Sequence, residues 1–191
     1  EPAGPHHPQR VVAEGELRRA RGAQPARGEV RQAAVRVDEL HRRQPQRHRV
    51  DREVTGHEVV LETARLRLRP RRVADAGVTH QLWSERDDRV PPHRRLDLAG
   101  HPTVEELEES IRTAPPPSST GLLAVERRVE GDVIGCCGLV DSGRGADGEP
   151  ELAFELLRRA WGQGYATEAA EAVLDWAKSQ GHQRLWATVW D

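Results

Sequence analysis

One stretch, Arg158-Arg159-Ala160-Trp161-Gly162-Gln163-Gly164-Tyr165-Ala166-Thr167-Glu168, constrains this 191-residue chain more than any other. It follows a run that alternates in character, Glu151-Leu152-Ala153-Phe154-Glu155-Leu156, as a strand should. It opens a run with Ala166, Ala169, Ala170, Val173, Leu174 and Ala177 on one helical face. Strand, glycine turn and helix in that order place unpaired helix amides near a strand end. Glycines let an anionic ligand approach that backbone, and two adjacent arginines add charge-assisted donors. The segment reads as a pyrophosphate cradle.

Four such cradles can be compared by spacing. A Walker P-loop ends in Gly-Lys-Ser/Thr, and none is present. A dinucleotide fingerprint needs a third small residue at Thr167 and glycines against the strand end, whereas Arg158 to Trp161 intervene. An Arg-x-x-Gly-x-Gly turn that binds coenzyme A stays open. So does a helix-starting turn whose glycines serve backbone geometry alone.

Further elements surround this unit. Arg65-Leu66-Arg67-Leu68-Arg69 alternates as a half-buried strand, ended by Pro70. Helices are predicted over Val73–Arg86 and over Val104–Arg112, the second with Thr103 and Glu106 as a capping box. Gly121–Arg127 and Asp132–Val140 form a predicted hairpin turning near Glu130-Gly131. Gly181 sits where a left-handed C-cap closes the long helix, and Arg184–Trp190 is a last strand.

Residues 1–57 differ in kind from residues 58–191. Arginine clusters such as Arg42-Arg43 recur there, and apolar content is too low to offset the entropy of ordering. A disordered tail, a spurious upstream translation and an arginine-rich nucleic-acid arm compete. The absence of interleaved aromatics counts against the last. A weak helical pattern spans Glu29–Leu40. The chain begins at Glu1 and contains no methionine, so a fragment is expected.

The formal net charge of −2 implies no global polyanion partner. Cys136 and Cys137 are adjacent and point to opposite faces of a strand, so a structural bridge between them is disfavoured. A reducing, cytoplasmic setting is expected, with no membrane partner, because no apolar run approaches the ~20 residues of a span. His80, His93 and His101 have no metal-ligand spacing, and no metal is assigned.

Taken together, three segments carry a resemblance. Leu61-Glu62-Thr63-Ala64-Arg65-Leu66-Arg67-Leu68-Arg69-Pro70 resembles the opening strand of the GNAT acetyltransferase superfamily. Ile134-Gly135-Cys136-Cys137-Gly138-Leu139 resembles its third strand. Glu151 to Leu157, the cradle and Ala166-Thr167-Glu168-Ala169 resemble its central motif. The branch of ribosomal-protein N-terminal acetyltransferases is the most similar. The closing part of that family, beyond its fifth strand, has no counterpart here, so truncation is expected.

The resemblance implies an α/β fold with a mixed, mostly antiparallel sheet flanked by helices. It implies acetyl-CoA as co-substrate, wedged between two splayed strands. The pantetheine arm would bond the strand edge at Leu156, Leu157 and Arg158. The pyrophosphate would meet the amides of Gly162, Gln163, Gly164, Tyr165 and Ala166, with Arg159 in the motif's first position and Arg158 as a second charge. The acceptor would be a primary amine, on a protein N-terminus or a small molecule, attacking the thioester directly. Glu151 is then the first choice for catalytic base, acting through water; Glu155 is the alternative, and Glu149 would attract a cationic acceptor. Acceptor specificity falls to Arg86–Pro102 and the missing end. Cys136 and Cys137 read as small core residues rather than nucleophiles, Trp161 and Trp176 as core. An inactive remnant that still binds the cofactor is the competing outcome.

Overall fold

The computed structural model describes residues 30–36, 59–87, 90, 94–141 and 149–190. Among the described residues seven strands form one sheet: β1 (Val30–Arg36), β2 (Leu61–Glu62), β3 (Leu66–Pro70), β4 (Gly121–Arg127), β5 (Val133–Val140), β6 (Glu151–Leu156) and β7 (Arg184–Trp190). Their order is β1-β7-β6-β5-β4-β3-β2. Neighbours run antiparallel except β6 and β7, which are parallel. The α-helices among the described residues are α1 (Ala76–Ser84), α2 (Val104–Thr113) and α3 (Tyr165–Ser179). The mixed, mostly antiparallel sheet flanked by helices is thus present.

Local chemistry explains the helix starts. Thr103 Oγ1 accepts from the Glu106 amide at 3.3 Å and Glu106 returns the favour to the Thr103 amide at 2.7 Å, the reciprocal box that the sequence pattern predicts for α2. The predicted Val73–Arg86 helix divides into a 3-10 turn, Val73–Asp75, followed by α1. Asp75 causes the tight entry. Its carboxylate caps the Arg72 amide at 2.7 Å while gripping Arg69 with both oxygens, at 2.8 and 3.1 Å. Arg69 also reaches Glu126 at 2.7 Å, so β3, β4 and α1 meet on one buried guanidinium.

The main core lies between α3 and the sheet. Ala169, Val173, Trp176 and Ala177 of α3 pack with Leu66, Leu68, Val125, Ile134, Leu139, Leu152 and Leu185. Burial of each large aliphatic member contributes about 1.5–3 kcal/mol. Ala76, Leu107 and Ile111 form a smaller cluster between α1 and α2.

One sequence expectation is corrected here. Val30–Arg36, within the supposed helical pattern of Glu29–Leu40, is a strand, paired with β7 over its whole length from Val30↔Trp190 to Arg36↔Arg184. The β7 edge away from β6 supplies the backbone donors and acceptors with which this extended segment pairs. The other residues of 1–57 lie outside the described residues.

Candidate active site

Parity along β6 determines what its free edge offers. The Leu157 amide donates to Ile134 O of the β5 side at 2.9 Å. Backbone groups alternate in direction along a strand, so Glu155 and Ala153 also face β5, while Leu152, Phe154 and Leu156 face β7. The first contact on that side is Trp186 N to Pro150 O, 2.9 Å. Strand β7 then registers with β6 at a single pair, Glu151↔Trp186. Beyond it the two strands diverge, and Phe154 and Leu156 have no strand opposite them. The result is a wedge, closed at Glu151 and open toward Leu156.

The open end meets the cradle. Leu157 leads into a 3-10 turn, Arg158–Ala160, and then to Gly164, the N-cap of α3. Gly162 and Gly164 have φ of +74° and +77°, a region that excludes other residues without strain. A Cβ at Gly162 would meet nothing within 4 Å, and one at Gly164 would meet only Arg65 Nη2 at 3.5 Å. The glycines are thus required by conformation, and the space before them is open. No side chain caps α3, so the amides of Tyr165, Ala166 and Thr167 lack the partners a helix interior gives. With the positive end of the helix dipole, this backbone fits an anionic group.

The two arginines of the motif differ in their surroundings. Arg158 is turned toward the end of α1: its amide donates to Glu85 Oε2 at 2.7 Å and Nη2 to Glu85 O at 2.6 Å. These contacts draw the Arg158 guanidinium toward α1. Arg159 Nη1 donates to Asp132 Oδ2 at 2.8 Å from an exposed position. The backbone groups of the expected edge have partners of their own. The Leu157 amide is spent on β5 and its carbonyl on the Ala160 amide, and the Arg158 amide is spent on Glu85. Of the three residues named for the pantetheine edge, only Leu156 faces the wedge. Its carbonyl accepts from Trp161 Nε1 at 2.6 Å. Trp161, expected in the core, is 54% exposed because its indole closes this carbonyl instead. Trp176 is buried as expected.

Three carboxylates stand on or beside β6. Glu151 is 1% exposed at the closed end of the wedge, and its Oε1 is buried without a hydrogen-bond partner. Glu155 is gripped by Arg86, whose Nε and Nη2 reach its oxygens at 2.7 and 2.5 Å, with Trp83 stacked on the guanidinium at 4.4 Å. That clamp overrides Glu155 as alternative base. Glu149 accepts from Arg184 Nη1 at 3.2 Å and Trp186 Nε1 at 2.9 Å, which offsets its pull on a cation. Cys137 is fully buried, and burial, reinforced by the nearby Glu155 charge, pushes the Cys136 thiol up to about 11. Neither is a thiolate at neutral pH.

Sequence reasoning missed Arg65 and Glu168. Glu168, in the first turn of α3, is 6% exposed. Its Oε1 accepts from Thr63 Oγ1 at 2.6 Å and the Arg65 amide at 2.8 Å, and its Oε2 accepts from Arg65 Nε at 2.7 Å. The signal was an acid one turn into the helix beside a Thr-x-Arg turn, uninformative without the contact. Burial alone would raise the Glu168 carboxyl, but the Thr63 hydroxyl and the Arg65 amide and guanidinium outweigh it and hold it below the usual range. Asp75 follows the same pattern: burial raises it, and the Arg69 and Arg72 donors lower it further than that.

A folded-state value below the unfolded one stabilises the fold above the unfolded pKa, and that gain is lost as pH falls through the folded value. Thermal stability is therefore expected to decline below about pH 4, where free carboxylates begin to protonate. Glu168→Gln should make the decline from pH 5 to pH 3 shallower in a calorimetric series. An identical slope would remove Glu168 from the effect.

Over residues 65–191 the chain matches the acetyltransferase (GNAT) domain family, and it belongs to that family. Domains of this kind generally use acetyl-CoA. A curated relative, the uncharacterized N-acetyltransferase p20 of Bacillus licheniformis, is 29% identical over 121 residues, 61% of this chain. The match spans 64% of that relative's length. A GNAT-family acetyltransferase from Bacillus anthracis shares the fold at a TM-score of 0.51 and 17% identity, over 64% of this chain and 68% of that one. A Bordetella pertussis protein assigned to the same family aligns at 26% identity and a TM-score of 0.49, covering 66% and 75% respectively. Among the described residues, no helix is long and apolar enough to cross a membrane, and no cluster of His, Cys, Asp or Glu could hold a metal ion.

Proposed function

We propose that this chain is an acetyl-CoA-dependent N-acetyltransferase that delivers acetyl to a primary amine by direct attack. The supporting observation is the wedge between β6 and β7, which opens onto the uncapped start of α3. A pyrophosphate would sit on the amides of Gly162, Gln163, Gly164, Tyr165 and Ala166, and the pantetheine arm would lie along β6. Strand-like pairing of that arm with Phe154 and Leu156 satisfies the backbone edge that β7 leaves open. At Leu156 the arm would displace the Trp161 indole. From Leu156 to Glu151 is about 16 Å of strand, which carries the thioester toward the closed end.

At that end Glu151 is the base. A buried carboxylate oxygen without a partner is costly unless something occupies it, and water or the incoming amine would do so. The amine must shed a proton as it attacks, and Glu151 accepts it directly or through that water. Ribosomal-protein N-termini are the acceptors we favour, on the sequence likeness of residues 58–191.

Calorimetry with acetyl-CoA, paired with a thiol-release assay across peptide and polyamine acceptors, tests this reading. Binding with acceptor-dependent thiol release is expected; binding without release from any amine would reject the enzyme. Replacing Gly162 and Gly164 together with valine should abolish acetyl-CoA binding. The Cβ atoms would fill the cradle, and each positive φ adds roughly 1–3 kcal/mol of strain. A folded double variant with unchanged affinity would refute the cradle.

A further inference from the structure

The turn between β2 and β3 is remote in sequence from the cradle but touches it. Arg65 Nη1 donates to Gln163 O at 3.0 Å, and the guanidinium lies 4.6 Å over the Tyr165 ring. Its Nη2 would stand 3.5 Å from a Cβ at Gly164. Arg65 therefore borders three consecutive cradle residues. Its inner edge is held by Glu168, through Nε at 2.7 Å and Nη2 at 2.7 Å. Its side chain is 48% exposed, whereas that of Glu168 is 6% exposed.

A guanidinium has five N–H donors in a rigid fork. Three are committed: Nε and one on Nη2 to Glu168, and one on Nη1 to Gln163. One on each terminal nitrogen remains, a pair suited to two oxygens of a phosphoryl group. Charge points the same way. Glu168 alone would repel an anion at the start of α3, and Arg65 cancels that charge while adding donors. Of the motif arginines, Arg158 is turned to Glu85, whereas exposed Arg159 holds Asp132 through Nη1 and keeps donors that would act beside those of Arg65.

Building on the acetyl-CoA reading above, we infer that Arg65 is a diphosphate-binding residue of the cradle, with Glu168 as its positioning residue. Thr63 completes the support: its hydroxyl bonds Glu168 Oε1, and the Leu66 amide bonds Thr63 Oγ1 at 2.9 Å. The turn, the helix start and the guanidinium are thus joined by one set of hydrogen bonds.

The test is calorimetry on the full chain with acetyl-CoA and with acetyl-dephospho-CoA, which keeps the diphosphate and lacks the 3′-phosphate. Arg65→Gln should weaken both ligands about tenfold or more, the effect of losing a charged hydrogen-bond donor. It should also flatten the salt dependence of affinity, which a merely structural change would leave alone. Arg65→Lys, which keeps the charge without the fork, should fall between. In Arg65→Gln/Glu168→Gln the buried charge is gone too, and affinity should stay low. Unchanged acetyl-CoA affinity in folded Arg65→Gln overturns the assignment. So does a loss confined to acetyl-CoA, which would place Arg65 on the 3′-phosphate. Full recovery in the double variant overturns it as well, because the single loss would then come from unmasked Glu168. A wild-type chain that binds neither ligand would reject the acetyl-CoA reading itself, and this assignment with it.

Discussion

Glu151→Gln is expected to lower turnover about a hundredfold or more while acetyl-CoA affinity stays within about twofold, since general-base catalysis contributes roughly 10²–10⁴. The two quantities separate because of where Glu151 stands. It sits at the closed end of the wedge, whereas the cradle lies beyond the other end of β6. Glutamine keeps the shape and loses the proton acceptor. It also removes a buried charge whose Oε1 has no partner, so stability should hold or rise. Single-turnover thiol release and calorimetry on the same preparation make the comparison. Equal turnover would remove Glu151 from the chemistry. A parallel loss of cofactor affinity would instead make it a support for the wedge. Glu155→Gln is the internal control: it breaks the clamp to Arg86 and should affect acceptor KM and stability more than the chemical step.

The contrast between those two glutamates shows what could be read from sequence. Both lie at odd positions of the same alternating strand, and period two assigns them one face. Sequence cannot show that Arg86, at the end of α1, takes one and leaves the other. The same holds at the cradle. Its glycines, its helix and the strand before it are local patterns, and they were legible. The direction of each β6 amide depends on register with β5, which hydrophobic alternation does not reveal. That register, not the alternation, is what pairs the Leu157 amide with β5, while the Arg158 amide meets Glu85 of a distant segment. Arg65 and Glu168 are 103 positions apart, and neither carries a local signal of the other. Strand β1 was missed for a related reason: its partner, β7, supplies the backbone edge that makes Val30–Arg36 extended. Trp161 failed differently. Large aromatics are usually packed, but an indole N–H next to an open carbonyl edge has a better use.

Asp75→Ala is expected to destabilise the fold by about 3–5 kcal/mol, because it strands a buried arginine. Arg69 and Asp75 are each only 8% exposed, and the pair is bidentate. Glu126 cannot compensate fully, since it already takes the Nε of Arg69, and of the terminal nitrogens only Nη1 has a further acceptor, Pro70 O at 3.2 Å. The Arg72 amide would lose its acceptor too, and the tight turn into α1 with it. For a chain of this size, 1 kcal/mol shifts the melting temperature by roughly 2–4 °C, so the transition should fall by well over 5 °C. A double variant, Arg69→Met/Asp75→Leu, removes the stranded guanidinium and should recover part of the loss, since Glu126 and the Arg72 amide still lose their partners. A drop below about 1 kcal/mol in the single variant would mean that water reaches the pair. The consequence extends to the active site. Helix α1 delivers Glu85 to the Arg158 amide and Arg86 to Glu155. A loosened entry to α1 should therefore raise the acceptor KM well below the melting temperature, while the cradle, built on α3 and the β2–β3 turn, keeps its affinity for acetyl-CoA.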